Sequence, residues 1–173
     1  NPRVAPAPPD ISAEEREHIA LDGVDDFRNQ ANILVQKAQR QVRIFSPRLD
    51  PNIFDSDELR NHLFNFASQH PYAEIHILVQ NPQLLVQNGH RLLKLYHRLP
   101  SRLQIRTLKP DCNTSHIEFM LTDKAGILYK QSLNRYTGYT VYWSPLDAIE
   151  LADEFDILWN ASEPDPELRN LPL

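Results

Sequence analysis

The stretch Ser115–Asn134, S-H-I-E-F-M-L-T-D-K-A-G-I-L-Y-K-Q-S-L-N, is the part of this chain that decides its fold. Polar and apolar residues alternate over its first half, as they do in a strand whose successive side chains point to opposite faces. The alternation predicts one face formed by His116, Glu118 and Met120, and an opposite face formed by Ile117, Phe119 and Leu121. We expect the first face to carry chemistry and the second to pack into the core.

A turn and a second strand follow this first strand. Residues 123–126, Asp-Lys-Ala-Gly, have the composition of a tight turn, and Ile127–Tyr129 is a second apolar run. The segment therefore predicts an antiparallel hairpin with Asp123 at its tip.

These residues resemble the phospholipase D superfamily, in which H-x-K-x-x-x-x-D lies on such a hairpin before a Gly-Ser-x-Asn-like stretch. Here His116-x-Glu118-x-x-x-x-Asp123 precedes Gln131-Ser132-Leu133-Asn134. The spacing is kept, but glutamate stands where the superfamily has lysine. The chain is identified as a single degenerate half of that superfamily, with His-x-Glu in place of His-x-Lys.

The resemblance implies a role for each matching residue. His116 would be the nucleophile or the acid, and Asp123 would orient a histidine, so these two form the catalytic pair in vestigial or divergent form. Lysine and asparagine bind phosphate oxygens in the superfamily. The implied ligand-binding residues are Glu118, Ser132 and Asn134, with Lys130 and Arg135 as cations close by. Glu118 would repel an anionic substrate, which argues against the reaction of the superfamily.

A purely structural interpretation of the same residues stays open. His116 and Glu118 can hydrogen-bond to each other, or to Lys130 and Arg135, and so satisfy buried polar groups without any substrate.

Length limits what the chain can do alone. With 173 residues, of which 41% are hydrophobic, it has room for one domain with a sizeable core. A complete phospholipase D site requires two copies of the motif, and this sequence contains one. An active enzyme would need a homodimer with the motifs facing each other, or a partner chain.

Charge and composition exclude several function classes. The net charge of −5 and the pI of about 5.8 argue against general nucleic-acid binding. The basic stretch His90–Arg106 would be the site of any such binding. The single cysteine, Cys112, and the absence of a long apolar run favour a cytoplasmic protein without a membrane span. The spacing of the histidines suggests no metal site, and no motif suggests a cofactor.

Hydrophobic periodicity predicts the elements on either side of the hairpin. Before it, strands alternate with helices: strand 18–21, helix 24–41, strand 41–46, helix 55–70, strand 72–80, a helix from Pro82 with a weak point at Gly89, and strand 102–109. After it, strand 139–143 precedes a helix that opens at Pro145. We predict an α/β, phospholipase D-like mixed sheet, mostly parallel with a late antiparallel hairpin and helices on both faces.

The chain divides into two parts by composition. Residues 1–11 are rich in proline and predict a tail or linker, whereas 12–173 predict a single phospholipase D-like α/β domain. Arg48 lies in the loop after the second strand, at the sheet edge where ligands usually bind. It either binds an anion or packs its stem on the sheet edge as a surface residue.

Two functions from different classes follow. The first is a non-catalytic, degenerate domain that serves as a binding or accessory module for a protein partner or a covalently linked domain, for instance as the C-terminal part of an acetyltransferase. The second is a homodimeric phosphodiesterase, phosphatidyltransferase or nuclease in which Lys130 or Arg135 replaces the missing lysine. The charge at Glu118 favours the first, and with it a chain that is not an enzyme alone.

Overall fold

The computed structural model describes residues 11–112, 114 and 117–169, which form one eight-stranded sheet flanked by helices. The strands are β1 Ile19–Asp22, β2 Gln41–Phe45, β3 Glu74–Val79, β4 Leu103–Thr107, β5 Glu118–Thr122, β6 Gly126–Lys130, β7 Thr137–Val141 and β8 Glu163–Pro164. The helices are α1 Val24–Lys37, α2 Pro51–Phe54, α3 Asp57–Gln69, α4 Pro82–Gln87, α5 Arg91–Arg98, α6 Pro145–Asn160 and α7 Pro166–Arg169.

The strand order across the sheet is β1-β7-β6-β5-β2-β3-β4-β8. The pairs β2–β3 and β3–β4 are parallel, and the other five neighbouring pairs are antiparallel. The mixed α/β fold is confirmed, but the expectation of a mostly parallel sheet is wrong. A parallel pair of neighbouring strands needs a crossover connection, and among the described elements helices join sheet neighbours only from β2 to β3 and from β3 to β4. The hairpins of β5, β6 and β7, and the pairing of β1 with β7 and of β8 with β4 at the two edges, make the rest antiparallel.

Helices cover both faces of the sheet, as predicted. One face, called the inner face, is covered by α1, α3 and α5, which bury their apolar sides together with Ile44 of β2 and Ile77 of β3. On the outer face, Phe155 and Leu158 of α6 pack against a smaller cluster that includes Phe45. The site described below lies between these layers, at the edge where β2 and β6 end and β5 begins.

The β5–β6 hairpin forms as predicted, with Asp123 in its turn at a positive φ of 54°. The expectation that one face of β5 would be free for chemistry is wrong. Met120 packs into the inner cluster and Phe119 into the outer one, so both faces are covered. The side chain of Glu118 is therefore buried at the end of a core strand instead of lying on an open polar face.

Several boundaries differ from the predicted ones, and helix α1, for example, ends at Lys37 instead of residue 41. The helix that begins at Pro82 stops at Gln87, because Gly89 has a φ of 57°, and a new helix starts at Arg91. Strand β7 begins at Thr137, two residues before the predicted start. Except for Ile11, the predicted linker 1–11 lies outside the described residues, so the division into linker and domain stays a prediction.

Candidate functional site

Three strand ends meet at one edge of the sheet and bring Ser46, Glu118 and Lys130 together. Glu118 opens β5 and faces Lys130, the last residue of β6, directly across the antiparallel ladder. Ser46 follows β2, whose Phe45 is paired with Phe119. The strand register alone therefore sets these three side chains next to one another.

Glu118 and Lys130 form a buried ion pair. The Lys130 ammonium donates to Glu118 Oε1 at 3.1 Å and to the carbonyl oxygen of Leu133 at 3.1 Å. The Ser46 hydroxyl donates to Glu118 Oε2 at 2.5 Å. Glu118 is 3% exposed and Lys130 is 2% exposed, so neither charge reaches solvent. Both carboxylate oxygens and the ammonium have partners within the protein.

Burial has a clear electrostatic effect at this pair. Removal from water raises the pKa of the Glu118 carboxyl, and the Ser46 hydroxyl and Lys130 oppose that rise by stabilising the carboxylate. The Lys130 ammonium also lies 4.9 Å from the centre of the Tyr136 ring. Its positive charge is thus neutralised by Glu118 and shielded by an aromatic face.

A second group of polar residues connects the ion pair to the loop after β2. The Asp50 amide donates to Ser46 Oγ at 3.0 Å. The Tyr136 hydroxyl donates to Asp50 Oδ2 at 2.9 Å and accepts from Asn52 Nδ2 at 2.9 Å. Burial raises the pKa of Tyr136, so its hydroxyl keeps its proton and remains a donor. The hydrogen bonds fix the loop against the strand ends.

Asp123 lies at the other end of β5. Its carboxylate accepts hydrogen bonds from the backbone amides of Gln39, Arg40 and Gln41 at 2.8–3.2 Å. Five residues of extended strand place it about 17 Å from Glu118. These bonds hold the hairpin turn to the start of β2. His116 lies outside the described residues, so the prediction that Asp123 orients this histidine stays a prediction.

An open cleft of about 470 Å³ lies beside the buried pair. The guanidinium of Arg48 donates to the Leu133 carbonyl at 3.4 Å, and this carbonyl also accepts from Lys130. Arg48 and Asn134 are both exposed. The cleft is lined by Pro47, Arg48, Gln80, Asn81, Pro110, Asp111, Cys112, Thr114, Leu133 and Asn134.

The six residues predicted to bind a ligand therefore lie in different environments. Glu118 and Lys130 are sealed in the ion pair, whereas Arg48 and Asn134 line the cleft. Ser132 Oγ accepts from the Asn134 amide at 3.2 Å and stabilises the turn. Arg135 is exposed in the same loop. The fold brings the six residues to the same end of the sheet, but only Arg48, Asn134 and Arg135 are exposed to solvent.

The basic stretch His90–Arg106 is largely engaged within the domain. The His90 side chain is buried between the Leu49 carbonyl and the Leu92 amide. Arg91 pairs with Asp57 at 2.9 Å, and Arg102 donates to backbone carbonyls near Pro71. Carboxylates thus neutralise Arg91, whereas backbone carbonyls hold Arg102 against the domain.

Sequence reasoning missed Ser46, Asp50 and Tyr136. Asp50 had a signal, because an acidic residue before Pro51 is a typical helix cap, and its Oδ1 accepts from the Asn52 amide at 3.0 Å. Ser46 could have been found from its place at the end of β2. Nothing in the sequence marked Tyr136 as a partner of Asp50, which is 86 positions away.

Two features are absent from the described part of the chain. Across residues 11–112, 114 and 117–169, no three His, Cys, Asp or Glu side chains are grouped so that they could hold a metal ion. Within the same ranges, no helix has the length and hydropathy needed to cross a membrane.

Comparison with known proteins identifies both a sequence family and a fold. A family model described as "Domain of unknown function (DUF7931)" matches residues 23–171. No curated protein sequence matches the chain. Among solved structures, the archaeal chromatin protein TrmBL2, described as showing a novel mode of DNA binding, is similar with a TM-score of 0.63 and 12% identity. The similarity covers 90% of this chain and 57% of TrmBL2.

Two bacterial structures extend the comparison. The phospholipase D family member Nuc from Salmonella typhimurium has a TM-score of 0.59 and 12% identity, over 86% of this chain and 99% of Nuc. Phosphatidylserine synthase from Haemophilus influenzae has a TM-score of 0.61 and 15% identity, over 91% of this chain and 41% of the synthase. The chain thus spans almost all of Nuc and about two fifths of the synthase. At these identities the similarity establishes a phospholipase D-like fold.

Proposed function

The chain belongs to the DUF7931 family, and we propose that it is a phospholipase D-like domain that binds a partner or ligand without catalysing phosphodiester chemistry. One observation carries this proposal: the carboxylate of Glu118, which the motif spacing aligns with the phosphate-binding lysine of the superfamily, neutralises the buried Lys130 at 3.1 Å. The reaction of the superfamily needs positive charge at that place, where negative charge develops on the phosphoryl oxygens.

The ion pair also makes Lys130 a poor substitute for the missing lysine. Its ammonium donates to Glu118 and to the Leu133 carbonyl and is 2% exposed. A phosphate could reach it only if the Glu118 pair broke, which would leave a buried carboxylate without its counter-ion and cost about 3–5 kcal/mol.

The neighbouring cleft supports the binding part of the proposal. Arg48 and Asn134 offer exposed donors to a ligand, and Gln80 and Asn81 add amide groups. A cleft of about 470 Å³ has the volume of small-molecule and peptide-side-chain sites. We infer an accessory role in which this edge binds a protein partner or a domain joined through residues 1–11, of which an acetyltransferase domain is one candidate.

The test is turnover of phosphodiesters by the purified chain. We expect no hydrolysis of bis(p-nitrophenyl) phosphate, single-stranded DNA or phosphatidylcholine vesicles above that of the His116→Ala variant, which serves as the matched control. Turnover by the parent chain that disappears in His116→Ala would overturn the proposal.

A divergent phosphodiesterase is the second candidate, favoured by the exposed Arg48 guanidinium at the cleft and by the match to nearly the whole of Nuc. It requires two chains, because one chain carries one motif. We would then expect a dimer in sedimentation equilibrium, and loss of turnover on both His116→Ala and Arg48→Ala. A monomer without turnover excludes it.

A further inference from the structure

A second groove runs beside α6 on the outer face of the sheet, away from the end of β5 that carries Glu118. Its volume is about 440 Å³. Its apolar part is formed by Trp143, Pro145, Ala148, Ile149 and Ala152. Ile149 is 39% exposed, and Leu146 on the neighbouring turn of α6 is 71% exposed. Apolar surface is thus presented along the first half of α6.

The rim of this groove carries more negative than positive charge. Asp123, Asp153 and Asp156 supply three carboxylates, against the two cations of Arg43 and Lys124. Arg43 is engaged with Asp156 at 3.6 Å. The groove therefore suits a segment that is mainly apolar and carries a positive charge.

The described chain begins next to this groove. Ser12 Oγ accepts from the Glu15 amide at 3.3 Å, and the Glu15 carbonyl accepts from the Trp143 amide at 2.8 Å. The His18 imidazole contacts Asp147 Oδ2 at 2.9 Å. These contacts attach the segment around Glu15 to the start of α6, so residues 1–10 join the domain at one end of the groove.

We propose that Asn1–Asp10 docks in the groove beside α6 of its own chain. The segment N-P-R-V-A-P-A-P-P-D contains four prolines and the apolar residues Val4, Ala5 and Ala7, with a single cation at Arg3. In a polyproline II conformation ten residues span about 31 Å. The distance along α6 from Pro145 to Asp156 is only about 17 Å, so the segment can follow the whole groove.

The chemistry of the segment fits that of the groove. Proline-rich segments bind apolar grooves with aromatic walls at a low entropic cost, because the polyproline II conformation is largely preformed. Trp143 supplies the aromatic wall here. The single cation of the segment, Arg3, is opposite in charge to the carboxylates of the rim, among them Asp153. Tethering by Ile11 gives the segment a high effective concentration at the groove, so a weak affinity is sufficient.

Nuclear Overhauser effects in the full chain test the proposal. We expect contacts between the Val4 methyl groups and the Trp143 indole, and amide exchange at Val4 slowed about tenfold or more relative to an unstructured peptide. Ile149→Glu places a carboxylate in the groove and should abolish both signals. Ile157→Glu is the matched control, because Ile157 is 70% exposed on α6 and is not part of the groove lining. This control should retain both signals.

Two results would overturn the proposal. The first is Val4 and Ala5 methyl groups at random-coil shifts that do not change in Ile149→Glu. The second is contacts seen only between differently labelled chains in a mixed sample, which would assign the groove to the segment of a second copy. Arg3→Glu provides an independent reading, because it should reduce the protection of Val4 about threefold or more through repulsion from Asp153.

Discussion

The two ends of the β5–β6 hairpin hold their carboxylates in different ways. Asp123 accepts hydrogen bonds from three backbone amides of residues 39–41. Glu118 bonds to two side chains, the Ser46 hydroxyl and the Lys130 ammonium. Backbone amides are supplied by any sequence that adopts this fold, whereas Ser46 and Lys130 must be those residue types.

This difference separates a contact that depends on the fold from one that depends on particular side chains. The role of Asp123 depends on backbone geometry, because its partners are main-chain amides. A glutamate at position 118 is tolerable only with a cation opposite it, because a lone buried charge is costly. Position 118 and position 130 therefore form one unit, in which neither charge can be removed alone without cost.

The largest expected effect tests the dependence of Lys130 on Glu118. Glu118→Ala leaves the Lys130 ammonium buried without its counter-ion, and we expect the free energy of unfolding to fall by about 3–5 kcal/mol. Urea titration followed by circular dichroism at pH 7 measures the change.

The matched control removes both charges. In Glu118→Met with Lys130→Met, two apolar side chains of similar length fill the site, and stability should return to within about 1 kcal/mol of the parent or exceed it. If the double variant were as unstable as Glu118→Ala, shape and not charge would dominate this edge.

The other end of the hairpin should respond less. Asp123→Ala removes the acceptor of three backbone amides, and we expect a loss of about 1–3 kcal/mol. Asp123→Asn retains an acceptor oxygen and tolerates the positive φ of 54°, so its loss should be smaller.

Combining the two ends tests their independence. At a separation of about 17 Å the effects of Asp123→Ala and Glu118→Ala should add to within about 0.5 kcal/mol. A larger coupling energy would mean that the Asp123 and Glu118 carboxylates stabilise the hairpin jointly and not independently.

Much of this fold could be predicted from the sequence, because its elements follow from local periodicity. The alternation in the first half of 115–134 predicted β5, and the hydrophobic periodicity over 55–70 predicted α3. The relative direction of the strands was predicted wrongly, because most neighbouring pairs are antiparallel and not parallel. Pairing of β1 with β7 joins residues about 118 positions apart, and no local signal specifies such a contact.

The candidate site was predictable in part for the same reason. Lys130 could be named as a partner of Glu118 because a two-stranded hairpin places them opposite each other. Ser46 reaches Glu118 through the pairing of β2 with β5, which is non-local, and Asp50 is connected to Glu118 through Ser46. Burial of Glu118 followed only from the purely structural interpretation, because the sequence does not show that α1 and α6 cover both faces of the hairpin.

Protonation of His90 at acid pH should lower the free energy of unfolding, because His90 bonds to the loop that joins Ser46 to α2. Its Nδ1 accepts from the Leu92 amide, so Nε2 carries the proton and donates to the Leu49 carbonyl at 3.0 Å. Burial lowers the pKa of His90, and this is the largest effect. Asp55 at 4.0 Å and Asp50 oppose it by raising the pKa, whereas Arg91 lowers the pKa further. The neutral imidazole is thus the form that the fold stabilises.

The sign of the pH effect follows from that lowered pKa. The unfolded chain binds a proton at about pH 6.5, before the folded chain does, so stability is complete above that pH and is lost as the pH falls toward the folded pKa. The slope is at most about 1.4 kcal/mol per pH unit. Urea titrations from pH 7.5 to 5.5 measure it. Burial also lowers the pKa of His76, which adds a slope of the same sign in this range. His90→Asn should therefore reduce the slope, and a slope that is unchanged in the variant would assign it to His76 or another group.

Arg48→Ala should have the smallest effect on stability and the most informative effect on binding. Arg48 is exposed and its single described hydrogen bond, to the Leu133 carbonyl, is long at 3.4 Å. We expect a stability change below about 0.5 kcal/mol. Because Arg48 lines the cleft and takes no part in the ion pair, its loss should weaken any ligand that binds this edge, as isothermal titration would show, while Glu118 and Lys130 remain paired. A ligand whose affinity falls in Arg48→Ala but not in the Glu118→Met, Lys130→Met variant would locate binding in the cleft and leave the buried pair a structural role.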